Sequence, residues 1–238
     1  MTYLVDLLYP LAYKIYQNRD KFKKSVAMTI EYLTSRSTLK RLGDKYNMSV
    51  GKMHKETDYV INVFATHFHD MMVTWPLFSE RSAIANRFWN QRRLPLCVGA
   101  IDGTLARCYG YYTNREEMIT RKCHYGFNLV FFCDDQGKVR KAFYGEAGSE
   151  ADSSIIMRST WYSSINSHLF NKNNPNRPFY ILSDKGMTGM NGIVTPLSDI
   201  NMPQSNKRDL FNGKIQEARA IVERVNGVLK SQANKKQF

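Results

Sequence analysis

Two aspartates stand where short apolar runs stop. Asp102 follows Leu96–Ile101 (LCVGAI), and Asp184 follows Pro178–Ser183 (PFYILS). Each has a glycine within two residues, Gly103 and Gly186, and a glycine lets the backbone bend away and leave the carboxylate facing a cleft. Glu223 lies one step from Val222, at the edge of a helical apolar stripe, so it can reach toward the same place. Three converging carboxylates repel one another and call for a cation, and hard oxygen donors select Mg²⁺ or Mn²⁺. On spacing alone, that site and three ordinary turn and surface acids weigh evenly.

The segments around these acids read as a sheet with helices. Leu96–Ile101 is one strand. Phe127–Cys133 and Lys138–Tyr144 pair as a hairpin across Asp134-Asp135-Gln136-Gly137, and Pro178–Ser183 is a further strand. Asp152–Trp161 reads as a helix opened by Asp152. Phe211, Ile215, Ala218, Val222, Val225 and Leu229 follow spacings of 4, 3, 4, 3 and 4 and so predict one long amphipathic helix. The fold class is therefore α/β, a mixed sheet flanked by helices, with its chemistry expected at the carboxyl ends of strands.

The first third is all helical. Phe22, Val26, Ile30 and Leu33 form one stripe, and Val60, Phe64, His67, Phe68 and Met71 form another. Between them, Leu39, Leu42 and Tyr46 share a helical face, the pattern breaks at Asn47-Met48, and Ser49 restarts it as an N-cap. Helix, short turn, helix is the spacing of a helix-turn-helix, whose second helix would offer Lys52, His54 and Lys55 to a DNA major groove. Plain packing of a helical hairpin is an equal reading. His67 and His69 are not a metal pair, because positions i and i+2 point about 200° apart on a helix; they read as a core and a surface histidine.

Composition narrows the partner. The 238 residues carry a net charge of +13. Residues 1–95 hold 15 basic and 8 acidic side chains, residues 96–200 hold 11 and 10, and residues 201–238 hold 8 and 3. Basic flanks around a near-neutral middle suit a polyanion, most simply nucleic acid. Hydrophobic residues make up 43%, enough for a folded core, yet no run reaches the ~20 apolar residues of a membrane span. Asp6 and Pro10 interrupt the first apolar stretch, against a signal peptide. Cys97, Cys108, Cys123 and Cys133 lack Cys-x-x-Cys spacing and read as reduced thiols rather than a zinc site or disulfides.

Five ordered segments carry a family resemblance. Leu94–Thr104 (LPLCVGAIDGT) resembles the first catalytic block of PIF/Harbinger-type DDE transposases and the nucleases derived from them. Thr120–Val139 (TRKCHYGFNLVFFCDDQGKV) resembles their RK-x-x-H-x-x-N strand block, and Gly148–Ser159 (GSEADSSIIMRS) their Gly-Ser-x-x-Asp-Ser helix start. Ile181–Met187 (ILSDKGM) resembles the second Asp block. Phe211–Lys230 (FNGKIQEARAIVERVNGVLK) resembles the closing FN…R…VER-x-x-G-x-LK helix. The chain departs at Leu105, where the family has His, and at Asp184-Lys185-Gly186-Met187, where it has Asp-x-Gly-Tyr-Pro.

That resemblance implies a ribonuclease-H-like catalytic domain over 94–238, preceded by a helix-turn-helix region over 1–93. It implies catalytic Asp102, Asp184 and Glu223, with Asp152 a further acid beside two divalent cations, Mg²⁺ or Mn²⁺. The chemistry would be two-metal phosphoryl transfer on duplex DNA. Arg121 and Lys122 would meet the DNA backbone near the cut, with Arg224 and Lys230 extending the track. A Myb-like partner protein and a nuclear location follow from the family in the same way; Lys23-Lys24, Arg92-Arg93 and Lys235-Lys236 are too sparse to make a nuclear signal on their own. The competing class is a non-catalytic DNA-binding or scaffold protein that kept the fold.

Overall fold

A computed structural model describes residues 2–12, 15–35, 37–107, 118–120, 123–198 and 203–233. The chain divides into two compact units, one made of Met1–Met72 and the chain end from Ser231, the other of Val73–Lys230. The division falls after Met72 rather than after Arg93, because helix α6 (Phe78–Arg92) packs on the first strand of the sheet.

In the first unit, helices α1 (Thr2–Ala12), α2 (Arg19–Thr34), α3 (Leu39–Tyr46) and α4 (Val50–Val63) pack on one another. Phe22 and Val26 of α2 are fully buried against Val5, Leu8 and Val60. Leu42 of α3 closes on Met28 and Met53. Between α3 and α4 the chain turns at Asn47, which takes the left-handed conformation with φ 55°, and Ser49 Oγ accepts the Lys52 N–H at 3.4 Å as an N-cap. Gly43 makes the turn possible, because a Cβ there would lie 2.6 Å from Met48 O. After Val63 the helix passes through a π-helical segment, Phe64–Phe68, before α5 (His69–Met72). The single amphipathic stripe expected across this stretch is broken there. A π turn adds a residue to the repeat and rotates the stripe, so Val60 and Val63 are buried while His67 and Met71 are exposed.

The second unit is built on a five-stranded mixed sheet in the order β3-β2-β1-β4-β5. Strands β1 (Cys97–Arg107), β2 (Gly126–Cys133) and β3 (Val139–Ala147) form antiparallel ladders, and β4 (Tyr180–Leu182) and β5 (Ile193–Val194) lie parallel to β1. This arrangement is compatible with a ribonuclease-H-like fold. The expected helix over Asp152–Trp161 is instead split into α7 (Asp152–Met157) and the start of α8 (Thr160–Ser163), and α9 (Ile165–His168) follows. Ser159 ends the first by capping the second, accepting the Tyr162 N–H at 3.1 Å. The last helix, α10 (Asn206–Ala233), buries Ile215, Ala218 and Val222 in the same core as Ile101, Phe131 and Ile181. Its amphipathic spacing is thus realised as packing on the sheet.

Two thiols belong to this core. Cys97 and Cys133 are buried, and burial pushes the Cys133 thiol up to about 12, so both behave as small apolar side chains.

Candidate functional site

Asp102 sits deeper in the sheet than its Asp-Gly neighbours suggest. β1 does not end there but runs five residues further, with Gly103 opposite Val130 and Arg107 opposite Gly126 on β2. What ends is the parallel pairing on the other side: Ala100 pairs with Leu182, and β4 stops. Asp102 and Asp184 each lie two residues beyond this last pair, Asp102 within β1 and Asp184 past the end of β4. Ser183 Oγ, donating to Ile101 O at 3.4 Å, holds the two chains side by side at this level. Asp184 itself caps a single 3₁₀ turn, Lys185–Met187, its Oδ1 accepting the Gly186 N–H at 2.9 Å.

Helix α10 covers the face from which Asp102 projects. Arg219, Glu223 and Asn226 lie at i, i+4 and i+7, so they share one side of the helix. Asn226 Nδ2 donates to Asp102 Oδ2 at 2.9 Å and to Gly103 O at 3.1 Å. The Arg219 guanidinium stands between two of the acids, with Nη2 3.5 Å from Asp102 Oδ1 and Nη1 3.7 Å from Glu223 Oε1. The site grades from inside to outside: the side chains of Arg219 and Asp102 are 12% and 17% exposed, that of Glu223 53%. Further up the helix, Asn212 clasps the chain after β5, accepting the Leu197 N–H at 2.8 Å and donating to Leu197 O at 2.9 Å. That fixes the start of the helix on the sheet.

Asp152 takes a different place. A Cβ on Gly103 would lie 2.0 Å from Asp152 Oδ2, so the carboxylate fills the space that a side chain at 103 would need. Consecutive strand residues face opposite ways, which sets Asp152 against the face of β1 opposite to Asp102. There its Oδ1 accepts from Asn128 Nδ2 at 2.7 Å, and the same amide nitrogen donates to Glu150 O at 3.0 Å. Asp152 is also the first residue of α7 rather than its N-cap, which is Ala151.

The donor set around Asp102 suits a hard cation. Besides the carboxylates, Thr104 Oγ1, two residues along on the same face, and Asn226 Oδ1 are buried acceptors without a hydrogen-bond partner among the described residues, and Arg219 Nε is a buried donor in the same condition. The spacing is less ready than the chemistry. Among the described residues no three His, Cys, Asp or Glu side chains stand close enough together to hold a metal ion.

The remaining candidates lie on surfaces. Lys52, His54 and Lys55 are exposed on α4, where His54 Nδ1 lies 2.7 Å from Asp58 Oδ2. Other acids of this unit are engaged within it: Glu56 accepts from Ser25 Oγ at 2.7 Å and from the Tyr16 hydroxyl. Glu31 accepts from Lys45 Nζ at 2.7 Å and Tyr46 Oη at 2.8 Å. Lys45 holds the Glu31 carboxyl below its usual range. Arg224 and Lys230 are exposed on α10, and Arg121 and Lys122 lie outside the described residues.

The model of the DDE superfamily endonucleases matches residues 101–232, from the strand that carries Asp102 to the end of α10. The chain belongs to this family. Neither a curated protein nor a solved structure matches it. Within the DDE family match lie all four acids read from the sequence, Asp102, Asp152, Asp184 and Glu223, and so do Arg219 and Asn226, to which the sequence assigns no role. Arg219 had a signal, since it precedes Glu223 by four residues and must share its helical face. Asn226 had none, because only the packing of α10 puts its amide on Asp102. No helix among the described residues is long and apolar enough to cross a membrane.

Proposed function

We propose that this DDE endonuclease is a PIF/Harbinger-type nuclease or transposase that cuts duplex DNA with two divalent cations, Mg²⁺ or Mn²⁺. The observation that carries the reading is that Asp102 and Asp184 each follow the Ala100–Leu182 pair of adjacent parallel strands by two residues, with Glu223 on the helix whose Asn226 bonds Asp102. Asp102, Asp184 and Glu223 would hold the ions. Bound there, such ions activate water or a 3′-hydroxyl and stabilise the leaving oxygen of the phosphodiester.

The chain's own residues do the rest. Asn226, with its amide on Asp102 and Gly103, fixes the rotamer of the deepest carboxylate. Asp184 is held by the Gly186 N–H, which leaves its second oxygen for a ligand. Asp152 braces β1 from behind through Asn128. In the first unit, α3 and α4 act as a helix-turn-helix, with Lys52 and Lys55 one turn apart and aimed at DNA; His54 joins them when it releases Asp58. Arg121, Lys122, Arg224 and Lys230 supply backbone contacts near the cut. The family subtype adds a Myb-like partner and a nuclear location.

One observation favours a second reading, a non-catalytic DNA-binding scaffold: among the described residues no three His, Cys, Asp or Glu side chains stand close enough together to hold a metal ion. A cleavage assay on plasmid DNA with Mg²⁺ or Mn²⁺ separates the two. Asp102→Asn, Asp184→Asn and Glu223→Gln should each abolish metal-dependent cutting while leaving DNA affinity within about twofold, because an amide keeps the shape but loses the charge that holds the ion. Wild-type protein with neither metal-dependent cleavage nor a metal-induced rise in melting temperature would leave the scaffold reading standing.

A further inference from the structure

The cation that the acids require is already supplied by the chain. Arg219 reaches from α10 to Asp102 and Glu223 at once, at 3.5 and 3.7 Å. Both distances are longer than the 2.7–2.9 Å of a well-formed charge-assisted hydrogen bond, so the guanidinium neutralises the carboxylates without binding either tightly. It is 12% exposed, and its Nε has no partner among the described residues, so a buried donor is left unsatisfied where it stands. Of the polar groups around Asp102, Asn226 holds its rotamer at 2.9 Å, while Arg219 adds charge and one long hydrogen bond at 3.5 Å. A divalent ion approaching Asp102 and Glu223 meets that charge at close range and is repelled until it moves away.

We infer that Arg219 is a built-in counter-cation that competes with divalent metal for Asp102 and Glu223, and that its guanidinium must leave these acids for the metal to load. The inference rests on the proposed metal-dependent reading of the site. The side chain has somewhere to go, because Glu223 is half exposed and the guanidinium can follow it outward toward solvent or a DNA phosphate.

The test is calorimetric titration of the full chain with Mn²⁺ in the absence of DNA, so that the readout is binding and not cleavage. Arg219→Gln and Arg219→Met remove the charge, the second keeping the aliphatic stem, and Arg219→Lys restores a cation. Removing the competitor should lower the Mn²⁺ dissociation constant by about fivefold or more, the low end of a coupling between two ligands. The lysine variant should return toward the wild-type value. The metal-free protein should melt lower in the Gln and Met variants, and the rise in melting temperature on adding Mn²⁺ should be larger. In the wild type, the Arg219 Nε–Hε resonance should shift on saturation with Mg²⁺, a measurement that needs no variant to fold. Tighter binding in the Gln or Met variant, including binding where the wild type shows none, supports the competition. Unchanged or weaker binding with an unmoved resonance would make Arg219 a structural strut and overturn the inference while leaving the metal site intact. Absence of binding in the wild type and every variant would instead remove the metal-dependent reading itself.

Discussion

Replacing Gly103 by alanine probes the strand that carries Asp102. The added methyl would lie 2.0, 2.3 and 2.4 Å from Oδ2, Cγ and Oδ1 of Asp152, so the whole carboxylate must move, and in moving it leaves the Asn128 Nδ2 that it accepts from at 2.7 Å. Overpacking of this kind costs ~1–3 kcal/mol, and a hydrogen bond to a charged group contributes ~1.5–3 kcal/mol. Against these, alanine restricts the unfolded chain and returns ~0.5–1 kcal/mol. The net for Gly103→Ala is a destabilisation of roughly 2–5 kcal/mol. Asp152→Ala loses that hydrogen bond, ~1.5–3 kcal/mol, without any overpacking.

Combined, the two changes should not add. Without the carboxylate the methyl has room, the hydrogen bond is lost only once, and the double variant should stand ~1–2 kcal/mol below wild type. The coupling is then at least ~2 kcal/mol in the compensating sense. Urea unfolding followed by tryptophan fluorescence measures it cleanly, because Trp75, Trp89 and Trp161 all lie in the sheet-bearing unit. Additivity within ~0.5 kcal/mol, or a Gly103→Ala variant as stable as wild type, would refute the placement of Asp152 behind β1.

Other outcomes follow from the same geometry. Lys52→Ala with Lys55→Ala should weaken duplex binding and reduce the log–log salt slope by roughly 2, since each lost phosphate contact removes ~0.9; circular dichroism should be unchanged, and unaltered affinity would make α3 and α4 a packing hairpin only. Glu80 is held below its usual range, first by the Leu77 N–H at 2.9 Å and then by Arg140. Its folded value is depressed, so the stability it contributes is complete above the ordinary value of 4.5 and is lost as the pH falls through the lower folded one. Glu80→Gln should flatten the fall in urea midpoint between about pH 5 and 3, and an unchanged acid limb would contradict the assignment.

Much of this architecture is local and therefore legible in the residues themselves. Spacings of 3 and 4 predict α2, α3 and α10 because a helix repeats every 3.6 residues whatever surrounds it. Ser49 caps α4, and Asp134 to Gly137 turns the β2–β3 hairpin, because those side chains act on backbone within a few positions. Asp102 and Asp184 could be singled out because an apolar run that stops at an acid is visible in one dimension.

The site itself is decided by pairing across the chain. Asp102-Gly103 reads as the end of a strand, yet β1 continues because β2 offers it five more partners, and no local turn preference outweighs a ladder already formed. Which strand lies beside β1, and in what register, depends on residues some eighty positions away, so only the tertiary structure sets the end of β4, just before Asp184, beside Ala100 of β1. The same holds for Asp152, whose family position suggests the metal side while the parity of β1 puts it on the other face. Arg219 and Asn226 acquire roles only when α10 settles over Asp102, because burial is what makes an arginine's charge matter to a carboxylate it does not tightly bind. Periodicity and caps act through bonds within one turn of chain; register, burial and the meeting of charges act through space, and only the folded sheet supplies that space.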